Sequence, residues 1–149
     1  MWLLGHIALG YFSSLFTSKI VKEKYNLYLV LLISIAPDID EFFEPYIIHR
    51  GPTHSILIAI ICFVPIFIYF KKGFPYFVSL ASHSLIGDYF VPPEQLFWPI
   101  SNGWYGAPPQ LQLTGRVETI VEVLLFLSML SVIIWRSRLN RHTRVNELK

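Results

Sequence analysis

The sequence predicts an all-α integral membrane protein: one membrane-embedded helical domain over residues 1–149, with about five transmembrane segments and a long ordered outer loop. Three observations carry this prediction: an apolar composition, five apolar segments, and a one-sided distribution of Lys and Arg. The chain is 54% hydrophobic but only 15% charged, and its mean hydropathy is +0.51. An ordinary soluble domain carries about a quarter charged residues. Lipid is therefore the solvent that best explains the missing charge.

Five apolar segments are candidate spans. A crossing helix needs about 20 residues, a length that the first, fourth and fifth segments approach. The third segment contains Pro65, which should kink it. The second has about eleven residues before Pro37, about half the thickness of the bilayer core, so the polar residues after it should lie below the membrane surface. The segments cover residues 2–18, 26–36, 55–70, 74–91 and 117–135.

The basic residues predict the orientation. With five spans, the connections at 19–24 and 71–72 and the tail at 136–149 share one side of the membrane. Of the twelve Lys and Arg, all but Arg50 and Arg116 fall in these three regions. The positive-inside rule makes that side cytoplasmic. We therefore expect a plasma (inner) membrane protein with its N-terminus outside and a basic cytoplasmic tail, and we expect specific roles for the two exceptions.

Side chains of the metal-binding type concentrate on the opposite, outer side. Because the topology rests on Lys and Arg alone, this convergence is an independent observation. Mixed sets of His and carboxylate ligands suit Zn, Mn or Fe better than Ca. We expect a divalent metal ion, Zn or Mn, at one or two per chain. The candidate ligands are His6, Asp38, Asp40, His49, His54, His83 and Asp88.

Two carboxylates follow the short second segment. In Ala-Pro-Asp-Ile-Asp, Asp38 and Asp40 are two residues apart, and in extended backbone both side chains point the same way, as a shared ion requires. A solvated turn is the alternative, because Pro-Asp is turn chemistry. Charged groups at membrane depth are costly and usually functional, which favours metal ligation.

A second motif, His-Arg-Gly-Pro-Thr-His-Ser, places two imidazoles and a guanidinium within residues 49–55. Its Gly-Pro pair forces a tight bend. His54 is the stronger ligand candidate, and His49 is expected to support it. Arg50 offers a planar fork that suits a phosphate or carboxylate group. The alternative is a capped helix start with interfacial histidines.

His83 and Asp88 are five residues apart in the fourth segment. On a regular α-helix this spacing separates them by about 140°, so they would not bind one ion as an i, i+4 pair does. Gly87 can loosen or end that turn. Otherwise the two residues serve different ions, or Asp88 orients another ligand. A His83 satisfied by Ser82 or by a neighbouring carbonyl is the remaining alternative.

Three further residues complete the candidate site. His6 lies one turn inside the first segment, on the same side as the other histidines. Glu118 and Glu122 share one face of the fifth helix and should face the bundle, because exposure to lipid would be expensive. A general acid/base role, a further ligand, and an ion pair with Arg116 all remain open for the two glutamates.

Together these motifs give the chain a family resemblance. They run in order through the first 100 residues: His6, Pro37-Asp38-Ile39-Asp40, His49-Arg50-Gly51-Pro52-Thr53-His54-Ser55, Ser82-His83 through Gly87-Asp88, and Trp98-Pro99. In these elements the chain resembles the YdjM-type membrane-bound metal-dependent hydrolases. The spacing from His83 to Asp88 is one residue longer than the His-x-x-x-Asp usual in that family. The ligand order is also similar to that of zinc-dependent phospholipase C enzymes, which implies phosphoester chemistry.

The expected function is a membrane-bound metal-dependent hydrolase that uses metal-activated water on a phosphoester of a lipid or lipid-linked substrate at the outer face. Arg50, Glu118 and Glu122 are the candidate catalytic residues. The expected partners are membrane lipid and an amphiphilic substrate, with no nucleic acid, because a basic tail of this kind marks the membrane surface. The alternatives are a transport or ion-pathway protein that uses the intramembrane His and Asp, and a non-catalytic membrane partner with a structural metal.

Overall fold

The computed structural model describes residues 3–44 and 46–147, with side chains described as far as residue 141. Within these ranges the regular structure is helical and no β-strand forms, as the sequence predicts. The α-helices are α1 (Leu3–Val21), α2 (Leu27–Ser34), α3 (Ile56–Phe70), α4 (Phe74–Ser82) and α5 (Gly115–Glu147). Shorter segments lie between them: 3-10 helices at Ala36–Phe43, Pro52–His54 and Pro109–Leu111, and a π-helical segment at His83–Asp88.

The central helix, α1, packs against α2, α4 and α5. Its contact with α2 is close because of Gly10, where an added Cβ would collide with Ser34. The Ser79 hydroxyl of α4 donates to the Val30 carbonyl of α2 at 3.1 Å. Small and hydroxyl-bearing residues are the ones that allow membrane helices to approach each other closely.

The distribution of polarity is the reverse of that in a soluble protein. Among the fully buried side chains are His6, His54 and His83, whereas Phe16 and Leu124 are among many exposed large apolar ones. So many exposed apolar side chains mark a surface that contacts lipid or another apolar partner.

The basic regions lie together at one end of the bundle. The Glu23 carboxylate, between α1 and α2, accepts hydrogen bonds from the backbone amides of Gly73 (2.8 Å) and Phe74 (3.2 Å). Lys24 and Arg136 line one cavity at this same end. The structure therefore brings the two basic connections and the start of the basic tail close to one another.

One segment in the described ranges, Gly115–Arg141 of α5, is long and apolar enough to cross a membrane by length and composition. The other helices are shorter: α3 has 15 residues, or about 22 Å, and α2 has eight, or about 12 Å, against a hydrocarbon core of about 30 Å. The chain is thus all-helical with one clear candidate span. The arrangement with five spans remains a proposal.

Three of the predicted segments differ from the helices in the structure. The fourth segment does not run as one α-helix over 74–91, because α4 ends at Ser82 and the π-helical segment follows. The second segment stops at Ser34 rather than at residue 36, because Pro37 disfavours α-helical backbone at the residue before it. The fifth helix is longer than predicted and continues through the basic tail to Glu147.

The loop at 92–116 lies over the end of the bundle opposite the basic regions. The Gln95 amide donates to the Arg50 carbonyl at 2.9 Å, and the Ile56 amide donates to the Leu96 carbonyl at 3.0 Å. These backbone bonds tie the loop to the segment that precedes α3 and hold it in a defined place.

Candidate metal centre

Four side chains from three segments converge at this end of the bundle. His6 comes from α1, Asp38 from the 3-10 helix that follows α2, and both His83 and Asp88 from the π-helical segment. Each offers one ligand atom, and the four atoms all lie within 4.8 Å of one another. We call these four residues the primary cluster. Asp38 is partly buried and the other three are fully buried.

The π-helical turn is what brings His83 and Asp88 together. A π-helix bonds each residue to the one five positions along, so residues at this spacing lie over each other. The Tyr89 amide accordingly donates to the Ser84 carbonyl at 3.0 Å, and His83 Nε2 lies 3.6 Å from Asp88 Oδ2. The separation of about 140° that a regular α-helix would give does not apply here, because the turn that contains Gly87 is wider than an α-helical turn, one of the alternatives that the sequence left open.

Close approach of α1 to this turn depends on Gly87. A Cβ at Gly87 would lie 2.5 Å from His6 Nδ1, so a residue without a side chain is needed there. The His6 ring consequently stacks on the His83 ring, with centroids 3.7 Å apart. His6 Nε2 lies 3.2 Å from Asp88 Oδ1.

The orientation of His83 is fixed by the last turn of α2. His83 Nδ1 lies 2.7 Å from the Ser34 carbonyl oxygen. A carbonyl only accepts hydrogen bonds, so Nδ1 carries a proton and Nε2 is the nitrogen that faces the cluster. Metal-binding histidines are commonly oriented by a bond of this kind.

His54 joins the primary cluster from the opposite direction. Its Nδ1 lies 3.3 Å from Asp40 Oδ2, which leaves Nε2 facing inward. That Nε2 lies 3.4 Å from Asp38 Oδ1, 3.3 Å from Asp88 Oδ2 and 3.2 Å from His83 Nε2. Two imidazole nitrogens and two carboxylate oxygens therefore converge on one small volume.

The electrostatics of this volume favour positive charge. Burial favours the neutral form of His54, but hydrogen bonds to three surrounding aspartates outweigh it and raise its pKa to about 11. Burial likewise favours the neutral acid at Asp38, yet bonds from His54 and His83 hold the pKa of that carboxyl well below its usual range. Asp40 also stays ionised, because its hydrogen-bonding partners outweigh burial and lower its pKa to about 2. A proton or a metal ion can supply the positive charge that these carboxylates stabilise.

Asp40 faces a different set of partners from Asp38. The backbone here is a 3-10 helix, with three residues per turn, so residues two apart diverge by about 120°. The expectation of extended backbone, with both carboxylates pointing the same way, was therefore wrong. Asp40 accepts hydrogen bonds from the Thr53 hydroxyl and the Arg50 amide (3.2 Å), and lies 2.8 Å from His49 Nδ1.

His49 and Arg50 border the primary cluster. The side chain of His49 is 27% exposed, and its contacts run to Asp40 and, at 3.7 Å, to Glu41 rather than to the cluster. Arg50 bridges the cluster and the loop: Nη1 donates to the Pro92 carbonyl at 2.7 Å, and Nη2 lies 3.5 Å from Asp88 Oδ1. The guanidinium thus places a fixed positive charge beside Asp88.

The comparison with protein families decides the relationship that the motifs suggested. A profile of the YdjM inner membrane protein family matches residues 1–144. The chain belongs to this family. No curated protein and no solved structure gives a significant match. The match covers every segment that contributes to the cluster, and membership of an inner membrane protein family accords with the apolar exterior.

In this member of the YdjM family, Glu118 and Glu122 differ in their surroundings. Glu122 is buried, and its Oε1 accepts a hydrogen bond from the Gly5 amide at 3.1 Å. A carboxylate there complements the amides and the positive dipole at the start of α1. Glu118 instead lines a cavity of about 830 Å³, together with Asp38 and Arg50. Glu122 faces the bundle, as expected, and Glu118 faces the cavity.

The structure adds Glu94, a residue that the sequence analysis did not single out. It is 0% exposed, and within the described part of the chain neither carboxylate oxygen accepts a hydrogen bond of ordinary geometry. Burial, and after it the charge of Asp88, raises the pKa of Glu94 to about 8; the Ser84 hydroxyl opposes this only weakly. The available signal was its isolation: Glu94 is the one acidic residue in the apolar loop at 92–116.

Proposed function

We propose that this chain is a membrane-bound metal-dependent hydrolase that acts on a phosphoester of a lipid or lipid-linked substrate. The observation that carries the proposal is the primary cluster, in which two imidazoles and two carboxylates direct one ligand atom each into a volume 4.8 Å across. This cluster lies at the end of the bundle opposite the basic regions.

The donor set fits a divalent transition metal. Nitrogen and oxygen ligands in roughly equal number suit Zn or Mn. Within this set His83 is oriented by a backbone carbonyl, and the adjacent His54 is oriented by the Asp40 carboxylate; metal-binding histidines use both kinds of support. A bound ion would lower the pKa of its water toward 7 and so supply the nucleophile.

The remaining predicted residues receive distinct roles in this proposal. Asp40 is a positioning residue that orients His54, and the partly exposed His49 contacts Asp40 and helps to hold it. Arg50, which borders both the cluster and the adjoining cavity, holds the anionic group of the substrate through its planar fork. Glu118 is the better candidate for proton transfer to a leaving group, because Glu122 already binds the start of α1.

The cavity beside the cluster favours an amphiphilic substrate. Its volume is about 830 Å³, and its lining combines charged side chains, among them Asp38 and Arg50, with apolar ones that include Leu32, Ile35 and Phe42. A pocket with both charged and apolar lining suits a phosphate head group joined to a hydrocarbon chain. A soluble phosphoester would leave the apolar lining unused.

We further propose that the helices form a bundle in the inner membrane with the cluster toward the outer face and the N-terminus outside. The support is the separation of charge along the bundle. Basic residues cluster near Glu23 and Gly73 at one end, and the carboxylate-rich site occupies the other. The positive-inside rule assigns the first end to the cytoplasm.

Turnover by purified protein in lipid vesicles tests the proposal. We expect metal-dependent release of a head group from a phospholipid or lipid-linked phosphodiester, abolished by a chelator and restored by Zn or Mn. Asp38→Ala should lower the rate at least about 100-fold, whereas Glu44→Gln, at an exposed position outside the cluster, should not change it. Metal-loaded wild type without turnover of phosphodiesters or phosphomonoesters, in vesicles or in solution, would support a structural metal instead.

A further inference from the structure

Glu94 is buried in a way that the primary cluster does not explain. The Glu94 amide donates to the Tyr105 carbonyl at 2.9 Å, and the Tyr105 amide donates back to the Glu94 carbonyl at 2.8 Å. These two bonds fix the backbone of Glu94 and of Tyr105, and the Glu94 carboxylate is held inside the protein. Burial of a carboxylate without well-formed hydrogen bonds is costly, and such groups in native proteins usually have a partner such as an ion.

The partners of Glu94 form a second group of ligand atoms. One atom each from His54, Asp88 and Glu94 lies within 4.8 Å of the other two, and all three residues are buried. This group is distinct from the primary cluster but shares Asp88 with it. We call it the secondary cluster.

The two oxygens of Asp88 point toward different nitrogens. Oδ1 lies 3.2 Å from His6 Nε2, whereas Oδ2 lies 3.3 Å from His54 Nε2 and 3.6 Å from His83 Nε2. A carboxylate with one oxygen beside a ligand of the first group and the other beside a ligand of the second can bridge two ions. In paired metal sites the ions lie about 3.5–4 Å apart.

We propose that His54, Asp88 and Glu94 hold a second divalent cation, and that Asp88 bridges it to the ion in the primary cluster. This inference rests on the proposed function only in that the first ion occupies the primary cluster. With the second cation the site is dinuclear, and Glu94 is one of its ligands. A paired site stabilises both the attacking and the leaving oxygen of a phosphoester, which fits that substrate class.

Manganese binding tests the inference without any assay of turnover. We expect wild-type protein reconstituted with Mn²⁺ to bind about two ions per chain and to give the exchange-coupled electron paramagnetic resonance spectrum of a close pair. Glu94→Gln preserves the side-chain volume and should bind one ion, with the six-line spectrum of isolated Mn²⁺. His54→Gln should behave in the same way, and Glu44→Gln, at an exposed position, should keep the coupled pair.

The outcomes separate the two proposals. One Mn²⁺ per chain in wild type, or a coupled pair that survives in folded Glu94→Gln protein, would overturn the secondary site. A coupled pair that is lost in both the Glu94 and His54 variants supports it, even if no phosphoester is turned over. Circular dichroism and gel filtration establish that each variant is folded, and loss of the pair counts only in folded protein.

Discussion

Gly87 lies directly against the His6 imidazole: a Cβ on Gly87 would be 2.5 Å from His6 Nδ1. The two residues come from different helical segments, so this contact sets the distance between α1 and the π-helical turn. His6 can reach Asp88 because nothing projects from Gly87. Metal binding should therefore be sensitive to any side chain placed at position 87.

Gly87→Ala should weaken metal binding by about 10- to 100-fold, the range seen when the support of a metal ligand is disturbed. The added methyl group would push the His6 ring away from Asp88 while leaving every ligand in the sequence. Competition with a chromogenic chelator measures the affinity. Gly103→Ala is the matched control, because the nearest atom there is the end of the Tyr105 side chain at 3.1 Å. Equal affinity in the two variants would show that the contact is unimportant.

Deletion of Ile86 should preserve metal binding. It removes one residue from the π-helical turn and leaves His83 and the carboxylate of Asp88 at i, i+4, where a regular α-helix places both on one face. Metal content of the purified variant gives the answer. Deletion of Val78, in the α-helical part of the same segment, is the control and should abolish binding by rotating His83 away. Loss of metal in a folded Ile86 deletion would mean that the π-helical turn itself is required.

Asp40→Asn should lower metal affinity about 10- to 100-fold even though Asp40 lies outside both clusters. The loss follows because an amide supports the Nδ1–H of His54 less strongly than a carboxylate does. His49→Gln should change the affinity by no more than a few-fold, because that side chain is partly exposed and acts only through Asp40. Chelator competition distinguishes the two variants, and a larger effect at His49 would reverse the roles assigned here.

Metal affinity should rise with pH between about pH 5 and pH 8. Without metal, Glu94 faces Asp88, His54 and Arg50, and its pKa of about 8 keeps it protonated in this range; His54, with a pKa of about 11, is protonated too. Both residues must lose their protons to bind an ion, so metal binding releases protons. Each proton released makes the metal affinity rise by a further factor of about ten per pH unit.

Calorimetry in two buffers of different ionisation enthalpy counts the protons released at pH 6.5. Glu94→Gln should release about one fewer proton than wild type, because the amide does not titrate. Equal proton release by the two proteins would show that Glu94 is already ionised or does not bind metal.

Part of the site could be predicted from the sequence because it depends only on which end of the bundle each residue lies at. The distribution of Lys and Arg divides the chain into two ends, and that division is enough to bring His6, Asp38, His54, His83 and Asp88 to one of them. The structure places one atom of each of these residues within hydrogen-bond range of another member of the group. The residue types then indicate the chemistry.

The rest depends on backbone geometry that the residue pattern does not encode. A π-helical turn and an α-helical turn differ by one residue in their hydrogen bonding, and the segment from His83 to Asp88, in which Gly87 can loosen the turn, is compatible with both. Asp40 was misplaced for a similar reason, since Pro-Asp is compatible with extended and 3-10 backbone alike. Glu94 depends on long-range bonds, such as the one between Gln95 and Arg50, that fix a loop without periodicity.

Metal content of Asp88→Asn beside wild type tests the central claim most directly, because Asp88 belongs to both ligand clusters. The substitution keeps the size of the side chain and removes its charge. We predict that wild-type protein, reconstituted with Zn or Mn and freed of loosely bound ions, retains at least one ion per chain and that folded Asp88→Asn retains none. Wild type that holds no ion, or Asp88→Asn that holds as much as wild type, would contradict a metal centre at this end of the bundle.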